Sequence, residues 1–150
     1  MPTKFAHTNL VAKDWKQLAA FYRDVFGCEP VPPQRDLSGE WLDKALGLSG
    51  AHIRGIHLRL PGYGSDGPTL ELFQYDSMPP HAQVHPNMPG FSHISFAVED
   101  VQATAQAILE HGGTAVGELT VRELPGVGLL TFQYLADPEG NIIEIQHWSK

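Results

Sequence analysis

The sequence predicts an α+β fold made of two tandem βαβββ modules. Three observations carry that expectation. Phe5-Ala6-His7 and Phe91-Ser92-His93 each open an alternating segment, and the two lie 86 residues apart. The same offset of 86 aligns Asp14 with Asp100, Ala19 with Ala105 and Gly27 with Gly113. Each half then closes on an apolar run carrying one carboxylate, Thr69-Leu70-Glu71-Leu72-Phe73 and Ile142-Ile143-Glu144-Ile145. An internal repeat of this kind constrains the whole fold.

The elements follow in order. Phe5 to Val11 alternates as a strand. Asp14 caps a helix, with Gln17 three residues on as in a capping box. Leu18, Phe21, Tyr22 and Val25 recur at helical spacing on one face, and Gly27 stops the helix. Pro30 to Pro33 ends any helix or begins an edge strand. Residues 34–51, with Trp41, Leu42, Leu46 and Leu48, suit a short helix or a folded loop. Ile53 to Leu60 is a strand, Pro61 to Pro68 a turn, and Thr69 to Tyr75 a strand. Asp76 to Gly90 carries four Pro and no periodicity, and reads as the linker.

The second module repeats the plan. Phe91 to Val98 is a strand, Asp100 caps a helix with a Val101, Ala105, Ile108, Leu109 stripe, and Gly112-Gly113 stops it. Strands are expected near Thr114 to Glu118, over Leu129 to Leu135 and over Asn141 to Trp148. Asp137-Pro138-Glu139-Gly140 is a tight turn. One domain over 1–150 is expected, with modules at about 4–76 and 91–148 and a linker at about 77–90. His7 and Glu71 are 64 residues apart, His93 and Glu144 only 51, which places an insertion of 13 in the first module, in the 34–51 region.

Bulk properties narrow the function. At 150 residues with 42% hydrophobic and 18% charged content, the chain is an ordinary globular size and composition. The net charge of −7, without a basic cluster, argues against nucleic acid or an anionic membrane as partner. The single Cys28 fits a reducing compartment, and its place after a helix C-terminus disfavours a nucleophilic thiolate. The N-terminal residues lack a signal-peptide pattern, so a cytoplasmic location is expected.

Strand alternation groups His7 with Phe5, Asn9 and Val11, and Glu71 with Thr69, Phe73 and Tyr75. It groups His93 with Phe91, Ser95 and Ala97, and Glu144 with Ile142, Gln146 and Trp148. The opposite faces are apolar and suit helix packing. His7, Glu71, His93 and Glu144 would then line the inside of a curled, cup-shaped sheet. Two neutral imidazoles and two carboxylates suit one divalent ion such as Zn, Ni, Co, Mn or Fe. Such an ion can polarise a carbonyl or a bound water.

Phe-Ala-His-Thr-Asn-Leu-Val at 5–11, Phe-Tyr-Arg-Asp-Val-Phe-Gly at 21–27, Leu-Glu-Leu at 70–72, Ser-His-Ile-Ser-Phe-Ala-Val at 92–98 and Asp-Pro-Glu-Gly-Asn-Ile-Ile-Glu at 137–144 form a specific set. The chain resembles the vicinal oxygen chelate superfamily, which includes glyoxalase I, methylmalonyl-CoA epimerase, extradiol dioxygenases and fosfomycin- and bleomycin-resistance proteins. The resemblance implies a glyoxalase-like fold, an open cup with helices outside. It implies His7, Glu71, His93 and Glu144 as metal ligands, with Glu71 or Glu144 as the proton-shuttling catalytic group. The implied activity is a glyoxalase-like lyase or an isomerase/epimerase that stabilises an enediolate of a small carbonyl or carboxylate substrate. A homodimer is implied as well. An extradiol-type dioxygenase would use His7, His93 and Glu144 with Fe(II). A non-catalytic member would sequester an antibiotic or toxin. Val11 and Tyr75 stand where bacterial glyoxalase I carries its glutathione-binding Arg and Asn, so glutathione is not carried over.

The other histidines are expected to be less informative. His52 and His57, near Arg54 and Arg59, suit the surface, with contact to an anionic substrate as the alternative; a bulge at Gly55 would decide their face. His81 and His85 lie in the linker. His111 ends a helix, where a positive charge suits the dipole. His147 is expected to be structural. Trp41, Phe73, Tyr75 and Trp148 suit either an apolar pocket or the core.

Overall fold

A computed structural model describes residues 2–150. The chain divides into two compact units, Met1–Pro80 and His81–Lys150.

The first unit runs β1 (His7–Val11), α1 (Trp15–Phe26), β2 (Glu29–Ser38), α2 (Glu40–Leu46), β3 (His52–Arg59) and β4 (Thr69–Tyr75). Its four strands form one mixed sheet in the order β1-β4-β3-β2. β1 pairs parallel with β4, and the other pairs are antiparallel. Asp14 caps α1 by accepting from the Gln17 N–H at 3.1 Å. Gly27 ends the helix in the left-handed conformation that its missing Cβ allows (φ 73°). Trp15, Leu18, Phe21 and Tyr22 are buried on α1, which packs on β3 and β4. Leu70 and Leu72 on β4 and Leu58 on β3 are also buried. Each buried Leu contributes about 1.5–3 kcal/mol relative to exposure.

The second unit runs β5 (His93–Ala97), α3 (Val101–Glu110), β6 (Thr114–Ala115), β7 (Thr120–Leu124), β8 (Gly128–Ala136) and β9 (Ile142–Ser149). Its sheet has the order β5-β9-β8-β6, and β7 pairs with β8 beyond the end of β6. β5 pairs parallel with β9. Asp100 caps α3 through the Ala103 N–H at 2.9 Å. Val101, Ala105 and Ile108 are buried and α3 packs on β8 and β9, whereas Leu109 turns outward. Asp137 is buried in the β8–β9 turn, where it accepts from the N–H groups of Glu139 and Asn141.

The α+β plan of two βαβββ-type modules, with three helices, is what the repeat predicts. The Pro-rich run begins β2, the edge strand of its sheet, as expected, and the register of that strand shifts between Val31 and Arg35 around a cis Pro32–Pro33 bond. The details differ elsewhere. The expected Thr114–Glu118 strand is cut to Thr114–Ala115, and β7 is an added strand. The bulge entertained at Gly55 is absent, since β3 and β4 pair continuously from Ile53 to Arg59. The helix α2 has no counterpart in the second unit, where the Leu124–Gly128 hairpin joins the equivalent strands.

Gly55 has a different purpose. A Cβ there would lie 1.9 Å from the Leu72 carbonyl oxygen, so only a residue without one fits the ladder. Gly55→Ala is expected to destabilise the fold by about 1–3 kcal/mol, the usual cost of overpacking. Gly64→Ala, which meets nothing within 4 Å, should stay within about 0.5 kcal/mol of the parent. Urea denaturation of both variants checks this; equal stability would show that β3 and β4 are not so tightly apposed.

Candidate metal centre

In the first unit, β4 is an interior strand between β1 and β3. Asn9 on β1 and His57 on β3 are both in register with Glu71. Alternation turns Leu70 and Leu72 to the helix side and Glu71 to the other. His7 Nε2 lies 3.4 Å from Glu71 Oε1. Asn9 Nδ2 donates to the same oxygen at 3.0 Å. His57 Nε2 lies 2.8 Å from Glu71 Oε2. The Glu71 side chain is only 13% exposed, so these contacts are formed in a partly desolvated place. Burial, chiefly, holds the His57 pKa below its ordinary value; the Glu71 charge opposes this, and Arg35 and His7 add to it. Tyr75, on the face of Glu71, is raised by burial first and then by that carboxylate, so its phenol stays protonated.

In the second unit, β9 lies between β5 and β8, and Glu144 is in register with Ser95 and Tyr134. His93 Nε2 is 3.6 Å from Glu144 Oε1. The His93 ring meets Tyr134 edge-on, with centroids 5.0 Å apart. Tyr134 is raised by burial first and then by Glu144. Ser92 Oγ donates to the Pro86 carbonyl at 3.2 Å and lies 3.2 Å from His93 Nδ1.

The donor chemistry of the His7–Glu71 pair, and separately of the His93–Glu144 pair, fits a divalent ion. Two atoms each about 2.1 Å from one ion lie roughly 3.0–3.4 Å apart, close to the separations found in both pairs. Among the described residues, no group of three or more His, Cys, Asp or Glu is drawn together as a metal cage.

The remaining candidates separate clearly. His57 shares the face of Glu71, contrary to the expected surface placement. Its signal was present only in register: the turn between β3 and β4 has to be known before residue 57 can be set against 71. Arg35, in register with Gly55 on the same face, was also missed. His52 and Arg54 alternate to the opposite face of β3. There His52 lies 2.6 Å from Asp36 and 2.8 Å from Asp76, and Arg54 donates to Asp76 at 2.5 Å. Arg54 is thus engaged away from Glu71. A groove of about 210 Å³, lined by Trp15, Lys16, Arg23, Pro30, Ile56 and Leu58, lies between α1 and the strands and includes none of the four His and Glu. His111 Nδ1 caps α3 on the Ala107 carbonyl, and His147 Nδ1 meets the Val98 carbonyl. Cys28 is buried, and burial pushes its thiol up to about 11. Trp41 and Trp148 are exposed, while Phe73 and Tyr75 are half-buried beside Glu71.

The profile of the Glyoxalase/Bleomycin resistance protein/Dioxygenase superfamily matches residues 4–145. The chain belongs to this superfamily. A search of curated proteins gives no match. Among solved structures, a glyoxalase family protein from Bacillus cereus is similar at 18% identity, covering 100% of this chain and 97% of that one, with a TM-score of 0.83. A genomically encoded fosfomycin resistance protein from Listeria monocytogenes is similar at 19% identity, with 99% and 96% covered and a TM-score of 0.59. A glyoxalase/bleomycin resistance protein/dioxygenase family enzyme from Burkholderia phytofirmans follows at 14% identity, with 96% and 98% covered and a TM-score of 0.61. These likenesses show the glyoxalase-like fold. The superfamily holds enzymes and binding proteins, so membership alone does not select an activity.

The Asp36–His52–Asp76 arrangement gives a pH-dependent stability. Hydrogen bonds to Asp36 and then Asp76 raise the His52 pKa above its ordinary value of about 6.5. A raised folded pKa contributes stability that is fully present below about 6.5 and is lost as pH rises through the folded value. His52→Gln is expected to lower Tm at pH 6, with the gap narrowing steadily towards alkaline pH. A gap that is constant from pH 6 to 9 would contradict this.

Proposed function

We propose that this superfamily member is a metal-dependent lyase or isomerase acting on a small, oxygen-rich carbonyl or carboxylate compound. The observation that carries the reading is the paired half-site, one imidazole Nε2 facing one carboxylate in each unit. His7, Glu71, His93 and Glu144 would hold one divalent ion. When bound, that ion supplies electrostatic stabilisation for negative charge developing on a substrate oxygen.

The protein's own residues divide the rest of the work. Glu71 is engaged by Asn9 and His57 and is suited to hold position. Glu144 lies 3.6 Å from His93 and, among the described residues, has no counterpart of the Asn9 hydrogen bond, so its carboxylate is the freer to accept and return a proton. Tyr75 and Tyr134 remain phenols that can donate to a substrate oxygen. Phe73 contributes apolar surface on the Glu71 face, and Arg35 is a cation on that face for an anionic substrate group. No helix among the described residues is long and apolar enough to cross a membrane. We place the protein in the cytoplasm, as a homodimer, with a small molecule as its partner.

Proton exchange tests this reading without a known substrate. Small 2-hydroxy and 2-oxo compounds are incubated with metal-loaded protein in D₂O under anaerobic conditions, and loss of the α-proton is followed by NMR. The parent is expected to exchange at least one of them. Glu144→Gln should lower that rate by about 10²–10⁴-fold, the range for loss of a general base. Oxygen uptake with catechols, and no exchange, would instead establish a dioxygenase. Tight ligand binding with neither reaction would establish a binding protein.

A further inference from the structure

The repeat accounts for four side chains, but not for the sheet face that runs on from Glu144. Glu144, Gln146 and Trp148 share one face of β9. Tyr134, Phe132 and Leu130 of β8 stand opposite them in register. Thr120 and Arg122 of β7 stand opposite Phe132 and Leu130 in turn. The pairing is unbroken through these positions, so cross-strand partners lie on the same side of the sheet. The face therefore steps away from Glu144 and Tyr134 in rows, first to Phe132, then to Trp148, Leu130 and Arg122.

The two ends of this face carry opposite charge. Within β7, β8 and β9 the charged residues on that side are Glu144 in the first row and Arg122 in the third. Glu123 alternates to the other side, where it pairs with Leu129. Between the two charges the surface is apolar and open. Phe132 and Leu130 are half-buried, and Trp148 is 42% exposed. Phe132 meets Tyr134 edge-on with centroids 6.1 Å apart, and Tyr134 meets His93 edge-on at 5.0 Å. An aromatic strip thus leads directly out of the His93–Glu144 pair. A contiguous apolar strip left open to water marks a binding surface. Gln146 and Thr120 add polar atoms to its middle, the mixture usual in small-molecule sites. Two residues of strand advance about 7 Å, so the first and third rows lie roughly 14 Å apart.

We infer that this face of the second unit holds the remote part of the substrate, and that the substrate is an amphiphilic anion. Its apolar, ring-bearing body lies over Phe132, Leu130 and Trp148, and an anionic group at its far end pairs with Arg122. The inference rests on the reading of His93 and Glu144 as part of a reaction site. A compound reacting at Glu144 has the rest of its length over the next rows, which is why the occupant is a small molecule. Arg122 is exposed, and no carboxylate shares its row, so its planar guanidinium is open to a two-oxygen contact with a carboxylate, sulfonate or phosphate.

Two fluorescent probes test this on the full, metal-free chain. One is 8-anilinonaphthalene-1-sulfonate, an aromatic anion. The other is N-phenyl-1-naphthylamine, its neutral counterpart. Far-UV circular dichroism checks the fold of each variant. The parent is expected to bind the anion more tightly than the neutral probe. Arg122→Gln should weaken the anion about 10–100-fold, the range for losing a hydrogen bond to a charged group, and leave the neutral probe unchanged. Phe132→Ala should weaken both probes, and Trp148→Ala should do the same if the first variant disturbs the fold. Val121→Gln, on the opposite side of β7, should change neither. A parent that binds neither probe, or an Arg122→Gln variant that binds the anion as the parent does, would overturn the inference. So would binding lost in Val121→Gln and kept in Phe132→Ala and Trp148→Ala. A dimer that becomes a monomer in Phe132→Ala or Trp148→Ala would make the face an interface between copies and overturn it as well. Neither metal nor turnover enters these measurements, so their failure is distinct from a failure of α-proton exchange.

Discussion

The candidate site depends on one constraint, the placing of a single carboxylate on an interior strand. β4 lies between β1 and β3, and β9 between β5 and β8. An interior strand has a fixed register on both sides, and its residues alternate strictly between two faces. Leu70 and Leu72, or Ile143 and Ile145, are driven to the helix side by burial. Glu71 and Glu144 are then turned to the other face. A one-residue slip would exchange the two faces, burying an uncompensated charge among α1 or α3 side chains at a cost far above that of a lost contact.

The same constraint explains how the two units differ. Their backbones repeat, so each carboxylate meets one His across the parallel strand pair and one residue across the antiparallel pair. The repeat does not extend to those neighbours. Asn9 and His57 stand in register with Glu71, whereas Ser95 and Tyr134 stand in register with Glu144. Ser92 acts elsewhere in the second unit, where it lies between the Pro86 carbonyl and the His93 ring. In the proposed mechanism, Glu71 holds the cation and Glu144 moves the proton.

Much of this was legible in the sequence because period and offset are local properties. The offset of 86 set His7 against His93, and the two capping Asp residues marked both long helices. Thr69–Tyr75 stood out as alternating residues bounded by turn signals. What could not be read depended on pairing. β2 carries three Pro and a register shift, so its alternation is broken, and only its partner β3 makes it a strand. β7 is exposed along most of its length and shows little apolar pattern. His57 is 14 residues from Glu71, and only the length of the β3–β4 turn brings them opposite. Leu109 fell into the helical stripe by spacing but lies at its edge, where the sheet no longer covers it.

Native mass spectrometry of the metal-loaded protein tests the central proposal, that His7, Glu71, His93 and Glu144 are ligands of a divalent ion. The account predicts close to one ion per chain in the parent, lost equally in His7→Ala and in His93→Ala, because each removes one of the two imidazoles. Full retention of the ion in either variant, or no ion in the folded parent at saturating metal, would contradict it.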